Sequence, residues 1–402
     1  MPGAITVERT YKNAVDDNTL VRDVSEDMLL LEPDQTPLLV FTNKNNRKSP
    51  SDAPKFEWVE KAEVAVWDTV NTNADYGTTQ TTILVSDVSL YAVGDIVVFP
   101  GAPTSGAMDE LGLVGTVGTN NIVLTARGFA GTTPAAIGST ASIRIMGGGL
   151  VEGGDVPTVR SAAPVTKSSY TAIFRTPVDV SRTMQATKAY ASPDGKRREL
   201  QIEALARHKQ EIEAAGLWSA GSETQAASGS TWTTQGFKPT VVTNITNAAT
   251  TFTLTKFNDF CETAFRYGAN EKLLMACPKG ISAFNFFSQN KLLTSVGDTS
   301  FGVKITRLNA NGFGEFMLAN NFRMGDGVAG KNGFNDEIYS IDMPAVRFRY
   351  LAGNGQSQDT KLYSDVKQDG KARNVDEYYS QVGWEIRHEK RHARMHNVQQ
   401  YG

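Results

Sequence analysis

The sequence predicts an α+β chain that carries a small all-β piece within it, and three stretches predict this. One strong, long helix signal covers residues 193–217. Five short β runs separated by turn signals lie between about Gly77 and Gly148. From residue 237 onward, helical and strand patterns alternate as in a compact α/β layer. With 402 residues the chain can hold two or three domains and bury a sizeable core. A net charge of −3 gives no basic field with which to grip nucleic acid. No run approaches the roughly 18 apolar residues a membrane helix needs, and the N-terminus lacks the apolar core of a secretory signal. Cys261 and Cys277 form neither a disulfide framework nor a zinc knuckle, which suits synthesis in a reducing cytoplasm.

Taken in order, residues 1–50 read as an extended arm. It holds one short amphipathic segment, Val24 to Leu31, before Pro33 and Pro37. Lys44, Arg47 and Lys48 make a local basic cluster, which on its own reads as a solvated loop. From Pro54, KFEWVEKAEVAVWDTV puts Phe56 and Trp58 at period-2 spacing, and SSYTAIFRTPVDVS at 168–181 is a comparable strand-like stretch. Extended segments of this kind cannot bury their own apolar side chains, so Leu29, Leu30, Phe56 and Trp58 are expected to need a neighbour. The inserted piece, residues 77–148, contains TTILV, DIVVF, LVGTV, NIVLTA and SIRIM, the pattern of a small barrel or sandwich. Its exit glycines, Gly147 to Gly149, lack the helix opening and Lys-Ser/Thr pair of a phosphate loop and read as a hinge.

The long helix has Ser192 as a cap, Pro193 at the first position and Gly216 near its exit. Leu200, Ala204, Leu205, His208, Ile212 and Ala215 form one apolar stripe, opposite Glu199, Glu203, Arg207, Gln210 and Glu213. About 25 residues make a rod of about 37 Å, a stiff spine. Beyond it, Thr255 is expected to cap KFNDFCETAFRY, KLLMACP to form a buried strand and KGISAFNFFSQN a second helix. FGVKITRL and EFMLANNF flank an Asn311-Gly312 turn, and EIYSIDMPAVRFRYL and YYSQVGWEIRHEKRHARMHNV close the chain as strands.

One motif invites a catalytic reading. His388-Glu389-Lys390-Arg391-His392 matches H-E-x-x-H, which on a helix would present two imidazoles to zinc with Glu389 as base. No downstream carboxylate follows to complete the ligand set. On a helix His396 would lie about 12 Å along the axis from His388. As a strand, the stretch puts Val382, Trp384, Ile386, His388, His392 and His396 on one face and its charges on the other, and a structural strand is the stronger expectation. His208 sits in the spine's apolar stripe and there is no G-x-S-x-G element. No catalytic, cofactor or metal site is expected.

The order of these pieces, with LLLEPDQTPL, VGDIVVF…NIVLTARGFAGTTPAA, VDVSRTMQATKAY…ELQIEALARHKQEIEAA, LLMACPKGISAFNFFSQN and EIRHEKRHARMHNV, resembles the tailed-bacteriophage major capsid proteins of the Hong Kong 97-type fold, in the group with a β insertion in the extended loop. The resemblance covers nearly the whole chain. It implies an N-terminal arm, an extended hairpin (residues 51–76 and 149–176) that overlaps the adjacent subunit, a peripheral domain (residues 177–236 and 346–402) holding the spine, and an axial domain (237–345). It further implies hexamers and pentamers of an icosahedral head around double-stranded DNA, with scaffold, portal and decoration proteins as possible partners. The implied location is the virion, with no membrane. Lysine–asparagine crosslinks occur in some relatives, but no motif here identifies such a pair. The basic runs at 44–48 and 387–394 would soften repulsion with packaged DNA or bridge subunits. The same fold also serves cargo-enclosing nanocompartments, the rival reading. The zinc peptidase and a tail-tube protein stand further behind.

Overall fold

A helix of 23 residues, Lys196–Trp218, forms the backbone of the larger of two compact units in the computed structural model. The structure describes residues 36–100, 109–148, 152, 160–187, 195–226, 229–290, 294–300, 303–310, 312–321, 324, 336–366 and 370–401. One compact unit runs from Val59 to Thr166; the other is built from the chain on either side of it.

The spine helix begins later than its sequence signal. Gly195 takes φ +91, a left-handed value that no helix continues through, so Lys196 is the first helical residue. Ser192 and Pro193, the expected start, lie outside the described residues. Gly216 does sit near the exit, inside the last turn, where a Cβ would meet the Trp384 ring at 2.6 Å. The expected polar face is also corrected, since Gln210 and Glu213 are buried while Leu200, Leu205 and Ala215 are only half-buried. The helix packs on the sheet with its His208–Ile212–Gly216 side and takes the arm's helix against Glu213.

Two sheets share the core of this unit. A five-stranded sheet runs Lys48–Ser51, Val346–Leu351, Arg373–Ile386, Ala172–Ser181, with Lys361–Tyr363 also paired to Arg373–Ile386. Its first pair is parallel and its other pairs antiparallel. A seven-stranded sheet runs Ile245–Phe252, Ala393–Tyr401, Ile338–Ile341, Glu271–Ala276, Glu315–Asn320, Val303–Asn309, Thr294–Ser300. One buried cluster draws Trp384, Phe348 and Val382 from the first sheet, Leu273, Tyr339 and Ile341 from the second, and Ile212 and Leu217 from the spine. Burying such large side chains contributes about 1.5–3 kcal/mol each. A second cluster, rich in phenylalanine, lies between the seven-stranded sheet and the helices Leu254–Phe265 and Pro278–Asn290. Thr253, not Thr255, caps the first of these helices, its hydroxyl accepting from the Lys256 N–H at 3.4 Å.

Two other expectations are overturned in this unit. Residues 37–44 are not part of an extended arm. Pro37–Lys44 is a helix that opens with proline at its first position, and Leu38, Leu39 and Phe41 enter the core beside Ile212 and Trp384. The closing stretch is not one strand within one domain. Arg373–Ile386 belongs to the five-stranded sheet, Ala393–Tyr401 to the seven-stranded sheet, and the HEKRH residues turn the chain between them.

Residues 59–166 fold around their own core, and all five short β runs are strands. The order Trp67–Thr69, Ser142–Gly148, Asp95–Phe99, Glu110–Val117, Asn121–Ala126, Thr82–Leu84 is antiparallel throughout. The first and last of these strands also meet. Val70 bridges Val85, the Asn71 N–H donates to the Leu84 carbonyl at 3.0 Å and the Ser86 N–H to the Thr69 carbonyl at 3.1 Å. The sheet is therefore a closed six-stranded barrel filled by Ile83, Val97, Val114, Ile122, Leu124 and Ile143. Trp67–Thr69 comes from the stretch that the resemblance assigned to the hairpin, so the barrel draws on residues before Gly77. At one rim Arg127, beside Glu110, also donates to the carbonyls of Gly77, Gln80 and Ala135 at 3.0, 2.7 and 2.6 Å. Both charges are almost fully buried, at 5% and 1% exposed, and the fork satisfies them. Lys55–Lys61 and Pro164–Tyr170 pair as a two-stranded ribbon.

Candidate functional site

The HEKRH residues form neither a helix nor a continuing strand. His388 has φ 51 and ψ 82, and Glu389–Arg391 makes one tight turn. His392 is fully buried and both its ring nitrogens are occupied. Nδ1 accepts from the Asp342 N–H at 3.2 Å, which leaves Nε2 protonated to donate to the Arg387 carbonyl at 3.2 Å. Burial, with Lys272 and Arg391 nearby, pushes its pKa down to about 3, so it is neutral. A zinc ion would have to displace a backbone hydrogen bond to reach either nitrogen. Glu389 is also engaged, accepting from the backbone N–H groups of Val242 and Thr243 at 3.0 and 2.5 Å. Among the described residues no group of three or more His, Cys, Asp or Glu could hold a metal ion.

Lys272 pins the same turn from below. It is fully buried, and its ammonium donates to the carbonyls of Ala264, Tyr267 (2.7 Å) and Arg391 (2.6 Å). All three donors are thereby used, although burial lowers its pKa to about 8. Arg391 reaches Asp342 at 2.6 Å. The motif that suggested chemistry is a corner held together by charge and backbone contacts.

A second constellation has the outline of a hydrolase triad. His208 lies 2.9 Å from the Thr176 hydroxyl at Nδ1 and 2.7 Å from the Ser380 hydroxyl at Nε2, and Ser380 donates onward to Thr360 at 2.9 Å. His208 and Ser380 are both 0% exposed, so no substrate reaches them. Desolvation lowers the imidazole pKa to about 4. What the chain of hydroxyls does is tie the spine to two strands of the five-stranded sheet. Arg197 and Gln201 repeat the tie at the other end of the spine, donating to Asp376 at 2.6 and 2.7 Å, and the Arg197 bond holds that carboxyl below its usual range.

Sequence reasoning missed one tether. Glu213 is buried on the spine, where it accepts from the Leu39 N–H at 3.4 Å, at the start of helix Pro37–Lys44, and from the Asn321 amide at 2.7 Å. Burial raises its pKa to about 8. Nothing in its spacing distinguishes it from the exposed acid Glu211 or the half-buried Glu203, since its burial comes from a segment more than 170 residues away in sequence.

The expected interface residues are scattered. Leu29 and Leu30 lie outside the described residues. Phe56 and Trp58 are 6% and 8% exposed, stacked on each other at 6.1 Å, with Phe56 also lying against the Gly383 backbone. Their own chain buries them, so the reason for giving them to a neighbour fails. Lys48 pairs with Asp359 at 2.8 Å and lies over the Phe348 ring. Arg47 is half-buried, and only Lys44, at the end of its helix, is exposed. His208, His392 and Lys272 lie buried within the larger unit.

The family model of the SU10 major capsid protein matches residues 5–399. The chain belongs to this family. Its α+β fold is that of a phage major capsid protein of the Hong Kong 97-type, its role is structural, it assembles with copies of itself, and its place is the virion. No match is found among the curated proteins. Among solved structures, this capsid protein is similar to the cyanophage A-1(L) capsid at 9% identity and TM-score 0.49, over 97% of this chain and 100% of that one. A native GTA particle capsid gives 10% and 0.46, covering 95% and 96%. The SrpI encapsulin of Synechococcus elongatus PCC 7942 gives 14% and 0.44, covering 60% and 80%. These likenesses are distant, and the family match alone decides the assignment.

Proposed function

We propose that this major capsid protein closes into an icosahedral phage head of hexamers and pentamers around double-stranded DNA, and that it carries no enzymatic activity. The observation that carries this reading is the family match across residues 5–399. It is supported by the fate of the two catalytic-looking constellations. His208 and His392 are sealed, neutral and fully hydrogen-bonded within the subunit. In this reading Leu29 and Leu30 are subunit-interface residues, and Lys44, exposed at the C-terminal end of helix Pro37–Lys44, is another. Shells built from such tiles bury interfaces of roughly 2,000–5,000 Å² per subunit. Scaffold, portal and decoration proteins are its partners in the same reading. Its two cysteines, free and buried, suit synthesis in the host cytoplasm.

The test is imaging of the purified full-length protein by negative stain, with nuclease-protected nucleic acid measured on shells formed in infected cells. Closed shells containing double-stranded DNA are expected. Shells that hold protein cargo and no DNA would transfer the chain to the nanocompartment reading. Tubes or rings would overturn the shell.

A further inference from the structure

Most of the positive charge that the sequence displays in runs is already used inside the subunit. Lys48 pairs with Asp359, Arg387 with Glu385, Arg391 with Asp342 and Arg394 with Glu337. Free positive charge gathers instead where two distant stretches meet at one end of the five-stranded sheet. The Arg182 N–H donates to the Ala372 carbonyl at 3.1 Å, bringing residue 182 beside residues 370–374. Between them opens a cavity of about 440 Å³ whose lining includes Arg182, Lys371, Arg373, Asn374 and Asp365. Among the described residues, the carboxylates near it are already paired. Asp179 pairs with Arg373, while Asp365 and Asp376 both pair with Arg197. Arg182 and Lys371 are exposed, and neither has an ion-pair partner among the described residues.

We infer that this cavity is a phosphate site and that its occupant in the particle is the backbone of packaged DNA. The inference rests on the shell reading above. Arginine supplies a planar fork matched to phosphate oxygens, and lysine supplies a mobile point charge. Asn374 adds an amide side chain among the lining groups. Contacts made to phosphate oxygens carry no sequence information, so the contact is independent of sequence. The site was invisible as a motif because its two free cations stand almost 190 positions apart in the chain, each in an unremarkable context.

The experiment measures binding of the full-length protein to a short DNA duplex across a salt series. Each phosphate neutralised contributes about 0.9 to the slope of log K against log salt. Removing both free cations, Arg182→Ala with Lys371→Ala, is expected to lower that slope by about 1.8 per bound subunit. The charge-preserving pair Arg182→Lys with Lys371→Arg is expected to restore it. An equal charge loss elsewhere, Lys256→Ala with Arg307→Ala, should leave it unchanged. An unchanged slope in the double alanine variant, or an equal fall in the control pair, overturns the proposal. Competition at constant ionic strength separates the sources. If inorganic phosphate displaces the duplex, the occupant is free phosphate; if polyglutamate does so as well as polyphosphate, the site takes a carboxylate chain. Either result overturns the DNA assignment. Particle imaging of the same preparations keeps the two readings apart. Shells with an unaltered slope remove only the phosphate site, whereas a wild-type protein that forms no shells removes the capsid reading whatever the slope.

Discussion

Replacing Gly216 with alanine tests whether the spine is held by its contact with Trp384 or by its own helicity. In an exposed helix the change would stabilise by about 1 kcal/mol, because glycine is the poorer helix former. Here the new Cβ would stand 2.6 Å from Trp384 Nε1, 2.7 Å from Cε2 and 3.2 Å from a Leu38 methyl. Trp384 cannot step aside. It is fully buried, packs edge-on against Phe348 with ring centroids 5.1 Å apart, and donates from Nε1 to the Ile212 carbonyl at 3.3 Å. Overpacking of a rigid core costs about 1–3 kcal/mol, and this clash falls on a ring and so belongs at the upper end. Losing the indole hydrogen bond adds about 1 kcal/mol. Against the helical gain, the balance is about 3 kcal/mol of destabilisation. Urea unfolding of unassembled subunits, followed by tryptophan fluorescence, should show a lower midpoint for Gly216→Ala, with fewer particles recovered. A midpoint equal to or above wild type would refute the reasoning, because helix propensity would then outweigh the packing.

Three further outcomes follow from the same contacts. Glu213 has a folded pKa raised to about 8, so its contribution to stability is full below the usual carboxyl range and is lost as pH rises through about 8. Glu213→Gln keeps an acceptor for Leu39 and should flatten the fall in urea midpoint between pH 6 and 8.5; an identical fall in both proteins would remove Glu213 as its cause. Arg127→Ala leaves Glu110 as a buried, unpaired carboxylate, and breaking such a pair costs about 3–5 kcal/mol, read as faster proteolysis within residues 59–166. Protection equal to wild type would contradict this. Glu389→Gln retains the oxygen that serves Val242 and Thr243, so particles should form normally, whereas His392→Leu strands the Asp342 N–H and should lower their yield. The reverse order would return the HEKRH turn to consideration as a functional motif.

The fold was legible wherever burial followed a local period. DIVVF alternates buried and half-buried along Asp95–Phe99, and the barrel strands could be read in this way one by one. Phe257, Phe260, Cys261 and Ala264 also keep helical spacing and are all buried. Legibility failed where burial came from afar. Gln210 and Glu213 look like surface positions and are covered by other parts of the chain, and Phe56 looks orphaned until Gly383, in the strand Arg373–Ile386, comes against its ring. Backbone sign defeated the rest. Nothing in the letters says that Gly195 or His388 adopts positive φ, yet the first sets the start of the spine and the second divides the closing stretch between two sheets. The site proposed at Arg182 and Lys371 belongs with the first kind of failure, since it is a juxtaposition and not a pattern.

Closure of the barrel has a consequence for a protein that works at extreme crowding. Any strand with unpaired amides is a template on which another chain can add, and assembly brings many copies into contact while they search for their places. By joining Val70 to Val85, the barrel leaves no such template on its rim. The open sheets are different. Ile245–Phe252 and Thr294–Ser300 end the seven-stranded sheet without a further partner among the described residues. Strand addition is thereby left to the borders of the open sheets, and a variant that opened the barrel would be expected to aggregate before it failed to fold.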